Sequence, residues 1–189
     1  MTRRPLALIT SFLILAATAA LCGQAVSAYL VSRARDQAEQ LRQEGEYDRA
    51  WSTLESALHL SPDSPDLWTE LGQTYRAAWF FRQSPELLRS ALQAYERAAT
   101  LHPLSATPPA ELARTLALGG QYAQADRAYQ RALVNDPRNP GLLVDRAAAL
   151  EKLGRPAAAL ALYRSAAHIK PNEYSQAAEQ RLAPAREAP

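Results

Sequence analysis

Residues 68–103 read WTELGQTYRAAWFFRQSPELLRSALQAYERAATLHP. Trp68, Leu71, Gly72 and Tyr75 fall at i, i+3, i+4 and i+7, so they share one face of a helix. Further on, Ala91, Tyr95 and Ala98 repeat the i, i+4, i+7 spacing and form the stripe of a second helix, which Pro103 brings to an end. The small residues in that stripe let a neighbouring helix approach closely. The segment predicts two helices packed face to face.

The second half of this pattern recurs along the chain. Ala50, Leu54, Ala57 and Pro62 match it, as do Ala125, Tyr129, Ala132 and Pro137, and Ala159, Tyr163, Ala166 and Pro171. Counting Pro103, successive prolines stand 41, 34 and 34 residues apart, and four segments in one register make a repeat architecture. The connections within units carry Gly45-Glu46-Tyr47, Gly119-Gly120-Gln121-Tyr122 and Gly154-Arg155-Pro156, where glycine can take the positive φ that ends a helix.

Trp, Leu, Gly, Tyr, then Ala, Tyr, Ala and Pro from Trp68 to Pro103 resemble the tetratricopeptide repeat. The resemblance covers about residues 31–173 and implies an all-α, right-handed α-solenoid of helix-turn-helix repeats. Repeats are expected at 31–64, 65–105, 106–139 and 140–173, with a capping helix over 173–183. A cap is needed because a terminal repeat has no neighbour to cover its apolar face. Residues 33–183 form the repeat domain on this reading, residues 1–32 a separate N-terminal segment, and residues 184–189 a disordered tail.

Three departures carry expectations of their own. Repeat one has Ala34, Gln37, Ala38 and Leu41 in place of the Trp and Leu signature, so its first helix can continue from the N-terminal segment. Repeat two holds seven extra residues, read as a turn added to each helix, with Ser84 as N-cap, Pro85 at N1 and Glu86 at the positive helix end. Trp79, Phe80 and Phe81 then either pack between the lengthened helices or form a contact surface. In repeat three, Pro109 takes the Trp position, and a helix is expected to start at Pro108 or Pro109.

Among the 189 residues, 48% are hydrophobic and 21% charged, which excludes disorder as the main state. From Pro5 to Ser32 there is no charge, and the apolar run Leu6–Cys22 follows Arg3 and Arg4. Two readings compete: a single-pass transmembrane anchor with Arg33 and Arg35 at its far end, or a signal peptide cut after Ala28. The length of the apolar core favours the anchor. Leu21 before Cys22 speaks against lipidation, which prefers a small residue there. The positive-inside count is close to balanced and slightly favours a cytoplasmic C-terminus, but the signal-peptide reading and an anchor with its N-terminus inside agree in placing the repeats outside the cytoplasm, in a bacterial-type periplasm. Residues 33–189 carry 19 positive and 19 negative charges, so nothing favours nucleic acid.

Catalytic motifs are absent from the sequence. It holds no phosphate loop, no Gly-x-Ser-x-Gly elbow, no metalloprotease helix and no Cys-x-x-Cys. His59, His102 and His168 all fall at the ends of second helices, where an imidazole suits the dipole. The chain is therefore expected to be no enzyme and to use no cofactor, no metal and no small-molecule substrate. What the resemblance implies is a concave groove lined by first helices, taking a peptide or helix of a protein partner. Carried over position by position, groove residues are Arg35, Glu39, Arg42, Gln73, Arg76, Arg114, Glu151 and Lys152. Arg35 and Glu39 do not fit the basic and Asn pair of carboxylate-clamp repeats. The functional expectation is a scaffold or assembly factor of the cell envelope; the alternatives are an accessory subunit of an envelope polysaccharide enzyme and a self-assembling module.

Overall fold

The computed structural model describes residues 4–171 and 173–182, and within the first helix it describes side chains at residue 18 and from residue 21 onward. Two units are present, Met1–Asp63 and Ser64–Pro189. Every described element is a helix.

The first unit holds α1 (Arg4–Gln43) and α2 (Tyr47–Leu60). They pack as an antiparallel pair, with Ala38 and Leu41 from α1 and Ala50, Leu54, Ala57 and Leu58 from α2 buried. The first repeat helix does run on from the N-terminal segment, as the missing Trp and Leu suggested. Among the described residues no helix is long and apolar enough to cross a membrane. The apolar run 6–22 lies, for nearly all its side chains, outside the described residues, as do Ala183 and the tail 184–189.

The second unit holds α3 (Pro65–Arg82), α4 (Pro85–Leu101), α5 (Thr107–Leu118), α6 (Tyr122–Asn135), α7 (Pro140–Lys152), α8 (Pro156–Ile169) and α9 (Glu173–Leu182). Each helix packs on the next, and α3 also touches α5 while α5 touches α7, so the first helices of the pairs line up along one face. The alanine and tyrosine stripe forms the core: Ala91, Tyr95, Ala125, Tyr129, Ala159 and Tyr163 are all buried.

Local chemistry sets the helix limits. Ser64 Oγ accepts from Leu67 N–H at 3.3 Å, Ser84 Oγ from Leu87 N–H at 3.4 Å and Asn139 Oδ1 from Leu142 N–H at 3.1 Å. Each of these caps is followed by a proline at the start of its helix, where the missing N–H costs nothing. Repeat two closes its first helix without glycine: Gln83 takes φ of 53°, its N–H donates to Trp79 O at 2.7 Å, and its side-chain amide donates to Phe80 O at 2.7 Å. A left-handed non-glycine costs about 1 kcal/mol, which that amide bond helps to offset. The helix of repeat three begins at Thr107, one residue ahead of the expected prolines, and both Pro108 and Pro109 are buried within its first turn.

Trp79, Phe80 and Phe81 divide between the two expectations. Trp79 is buried, whereas Phe80 and Phe81 are 60% and 70% exposed, their rings edge to face at 5.5 Å. At the other end α9 lies over α7 and α8, burying Ala178 against Ala147, Leu150, Ala159 and Tyr163.

Candidate functional site

The aligned first helices α3, α5 and α7 carry a hollow of about 380 Å³ in the second unit. Its floor is apolar, from Ala117 and Leu118 of α5, Ala148 and Ala149 of α7, and the rings of Tyr122 and Tyr129 of α6. Charged groups edge it: Arg76 on α3, Arg114 on α5, and Asp145 and Lys152 on α7.

These charges are organised before any partner arrives. Arg76 Nη1 lies 2.9 Å from Glu111 Oε2, Arg114 Nη1 donates to Glu111 Oε1 at 2.8 Å, and Arg114 Nε donates to Asp145 Oδ2 at 2.9 Å. The result is a ladder of alternating charge from α3 through α5 to α7. Glu111 Oε2 is buried and accepts no hydrogen bond, so the charge of Arg76 is what compensates it. Burial works against the Arg114 charge, but its bond to Asp145 and the nearby carboxylates outweigh this and hold its pKa above the usual value. Burial, reinforced by the charge of Asp145, pushes the Tyr129 phenol up, so it stays a neutral wall of the hollow. Lys152, exposed at the rim, donates no hydrogen bond among the described residues. Arg76 and Arg114 are set against Glu111 and Asp145, and the charge of Lys152 acts on the neighbouring Glu151.

Of the residues expected in a groove, Arg76, Arg114 and Lys152 meet around this hollow. Gln73 sits one turn before Arg76 on α3, half-buried. Arg35, Glu39 and Arg42 belong to α1 in the first unit; Glu39 accepts from Arg42 and from Gln43, the latter at 2.8 Å. Glu151 is engaged elsewhere. Tyr163 Oη donates to its Oε1 at 2.7 Å and Arg181 of α9 donates to Oε2 at 2.5 Å, so it ties the last repeat to its cap.

Sequence reading by family position overlooked Asp145, Tyr122 and Tyr129. A signal for the first was present: Glu70, Glu111 and Asp145 are spaced 41 and 34 residues apart, the repeat's own spacing, so an acid recurs at one position of three units. The tyrosines carried no such mark, because Tyr129 serves the core stripe and Tyr122 stands in the connection that opens α6.

The Glu151 link has a pH signature. The Arg181 bond, more than its partial burial opposes, and the Tyr163 bond hold the Glu151 carboxyl below the ordinary range. A group whose pKa is depressed by folding stabilises above its unfolded pKa and loses that contribution as pH falls through the folded one. Docking of α9 is therefore expected to be unchanged above about pH 5 and to weaken steadily below about pH 4.3. Amide exchange over residues 173–182 reads this, and Arg181→Gln is expected to weaken docking at neutral pH and flatten the profile.

Two tetratricopeptide-repeat family models match the chain, over residues 32–74 and 110–174, together more than half of its length. The chain belongs to the tetratricopeptide-repeat family. No curated protein matches it. Among solved structures, a crystal structure of MamA matches at 18% identity and a TM-score of 0.66, covering 77% of this chain and 81% of that one. A second crystal structure of the MamA protein matches at 17% identity and a TM-score of 0.66, covering 82% and 87%. The TPR domain of Arabidopsis OM64 matches at 27% identity and a TM-score of 0.54, covering 63% of this chain and 93% of that domain. The MamA likenesses show the fold. Tetratricopeptide repeats are protein-interaction modules, and this chain is a scaffold of that kind.

Proposed function

We propose that the hollow between α3, α5 and α7 is where this repeat protein holds its partner, and that the partner inserts an extended peptide or one face of a helix. The observation that supports this is the ladder Arg76, Glu111, Arg114, Asp145 beside an apolar floor. Because the charges already hold one another in place, little side-chain entropy is lost on this side when a partner segment orders. The ladder is internally paired, so the recognition charge is Lys152, and the apolar contact is Leu118, which is 60% exposed. An acidic side chain next to an aliphatic one fits that pairing.

Arg114 has a different role from Lys152 on this reading. Arg114→Ala leaves Glu111 and Asp145 without their hydrogen-bond donor and is expected to cost about 1–2 kcal/mol of stability. Lys152→Glu with Leu118→Asp is expected to leave stability within about 0.5 kcal/mol and to abolish capture of the partner. Urea unfolding reads the first effect. In-cell crosslinking of the full-length protein, followed by mass spectrometry, reads the second. If the Lys152 and Leu118 variant captures the same protein in the same yield, the partner binds elsewhere.

We further propose that the chain acts in the cell envelope, with its repeats outside the cytoplasm. The uncharged stretch from Pro5 to Ser32 behind Arg3 and Arg4 supports this. Sequencing the N-terminus from the same crosslinked sample separates the two forms. Arg3 retained in a membrane fraction means a tether; a start at Tyr29 means a free exported adaptor. A full-length chain in the soluble cytoplasmic fraction would overturn the envelope reading.

A further inference from the structure

Away from the ladder, the second unit has a shallow hollow of about 480 Å³ lined by Arg138, Arg164, Ser165, His168 and Ile169. Arg138 comes from the connection between α6 and α7; the other four come from the last two turns of α8. Arg164 and His168 stand at i and i+4, so they share one helix face, and Arg138 meets that face across the hollow. No carboxylate lines it. In a chain whose repeat region has equal numbers of both charges, a hollow edged by two guanidinium groups and no carboxylate is a local excess of one sign.

The acids near it cancel this excess only in part. Asp136 accepts from the Asn139 side-chain amide at 2.8 Å and is tied into the α6–α7 connection. Glu179 of α9 reaches Arg164 only at 3.8 Å, longer than a hydrogen bond, and leaves the rest of that guanidinium open. Arg138 makes no ion pair or hydrogen bond among the described residues. By comparison, Arg131 forks onto Glu96 and Arg181 onto Glu151. Arg138 and Arg164 are thus placed together with donors to spare.

We propose that this hollow binds a phosphate group. Two guanidinium forks present several N–H donors at once, a geometry that suits the tetrahedral oxygens of phosphate. The Ser165 hydroxyl now donates to Ala161 O at 2.9 Å and can swing to add a donor, and His168 completes the rim. Ile169 supplies an apolar edge that a bare ion would not use but the glycerol or acyl part of a headgroup would. The ligand chemistry is a phosphate monoester or diester. Its source is either a soluble phosphate compound or an anionic phospholipid headgroup.

The test uses the full-length, isotope-labelled protein in zwitterionic detergent micelles at fixed ionic strength. Inorganic phosphate is titrated first; then phosphatidylglycerol is doped into the micelles, with phosphatidylcholine as control. Saturable amide shifts confined to residues 136–140 and 164–170 are expected. Saturation with inorganic phosphate identifies a soluble ligand, and saturation with phosphatidylglycerol alone identifies a headgroup. Arg138→Gln with Arg164→Gln is expected to weaken binding about tenfold or more, while Arg138→Lys with Arg164→Lys keeps part of it. Unchanged helical circular dichroism separates this loss from unfolding. Shifts that rise linearly without saturating, that spread over all arginines equally, or that persist in the Gln variant would overturn the proposal.

Discussion

Replacing Gly72 by alanine is expected to destabilise the second unit by about 2 kcal/mol, although alanine is the better helix former. Gly72 is buried in the middle of α3, and a methyl group there would sit 2.7 Å from Tyr95 Cε1, 2.8 Å from Cδ1 and 3.0 Å from Cζ. The obstacle is the body of a ring, not the end of a flexible chain. Tyr95 is fully buried and belongs to a cluster with Ala91, Ala113 and Tyr129, so it has no free volume to move into. Helix propensity works in the opposite direction by about 1 kcal/mol, which makes the sign of the result informative. Urea unfolding of the full chain measures it. Gly119→Ala is the control: φ there is −80° and the nearest side-chain atom, Leu88 Cδ2, is 3.4 Å away, so little change is expected. Pairing Gly72→Ala with Tyr95→Leu is expected to recover part of the loss, since the two residues compete for one space. A neutral or stabilising Gly72→Ala would mean that α3 and α4 do not approach this closely.

The second large effect is expected at Tyr163, where substitution by alanine costs about 3–4 kcal/mol. Its side chain is fully buried between α7, α8 and α9, so truncation leaves a cavity beneath the cap. It also removes the hydroxyl that donates to Glu151 at 2.7 Å. Burial, and after it Glu151, push the Tyr163 phenol well above its ordinary pKa, so it remains a donor throughout the working range. Tyr163→Phe separates the two contributions. It keeps the ring and is expected to cost about 1 kcal/mol, because Glu151 retains Arg181. Hydrogen exchange is the decisive readout: Tyr163→Ala is expected to remove protection across 173–182, whereas protection left intact would mean that α9 is held by its other contacts.

The stripes Ala91, Tyr95, Ala98 and Ala125, Tyr129, Ala132 were legible because helical spacing forces such residues onto one side, and one side of each second helix must be buried. The same applies to Ser84, whose capping role depends on an atom three residues away. Phe80 and Phe81 show where local reading stops. All three aromatics of repeat two look alike in sequence, yet Trp79 turns inward and the next two do not, because successive residues of a helix point about 100° apart.

For the candidate site, family position picked out Arg76, Arg114 and Lys152 but also Glu151, which the structure gives to Tyr163 and Arg181. Position within a repeat fixes the face on which a side chain starts, not the neighbour that a long side chain reaches. By itself, then, the sequence determined the repeat unit, its helix pairs and caps, and the need for a cap on the last repeat, since each of these follows from contacts within about 34 residues. Only the tertiary structure decided how the charges are shared: that Asp145 completes the ladder through Arg114, that Glu151 belongs to the cap, and that Arg138 and Arg164 line one hollow. These arrangements join side chains from different elements, and their energies depend on distances that no spacing along the chain encodes.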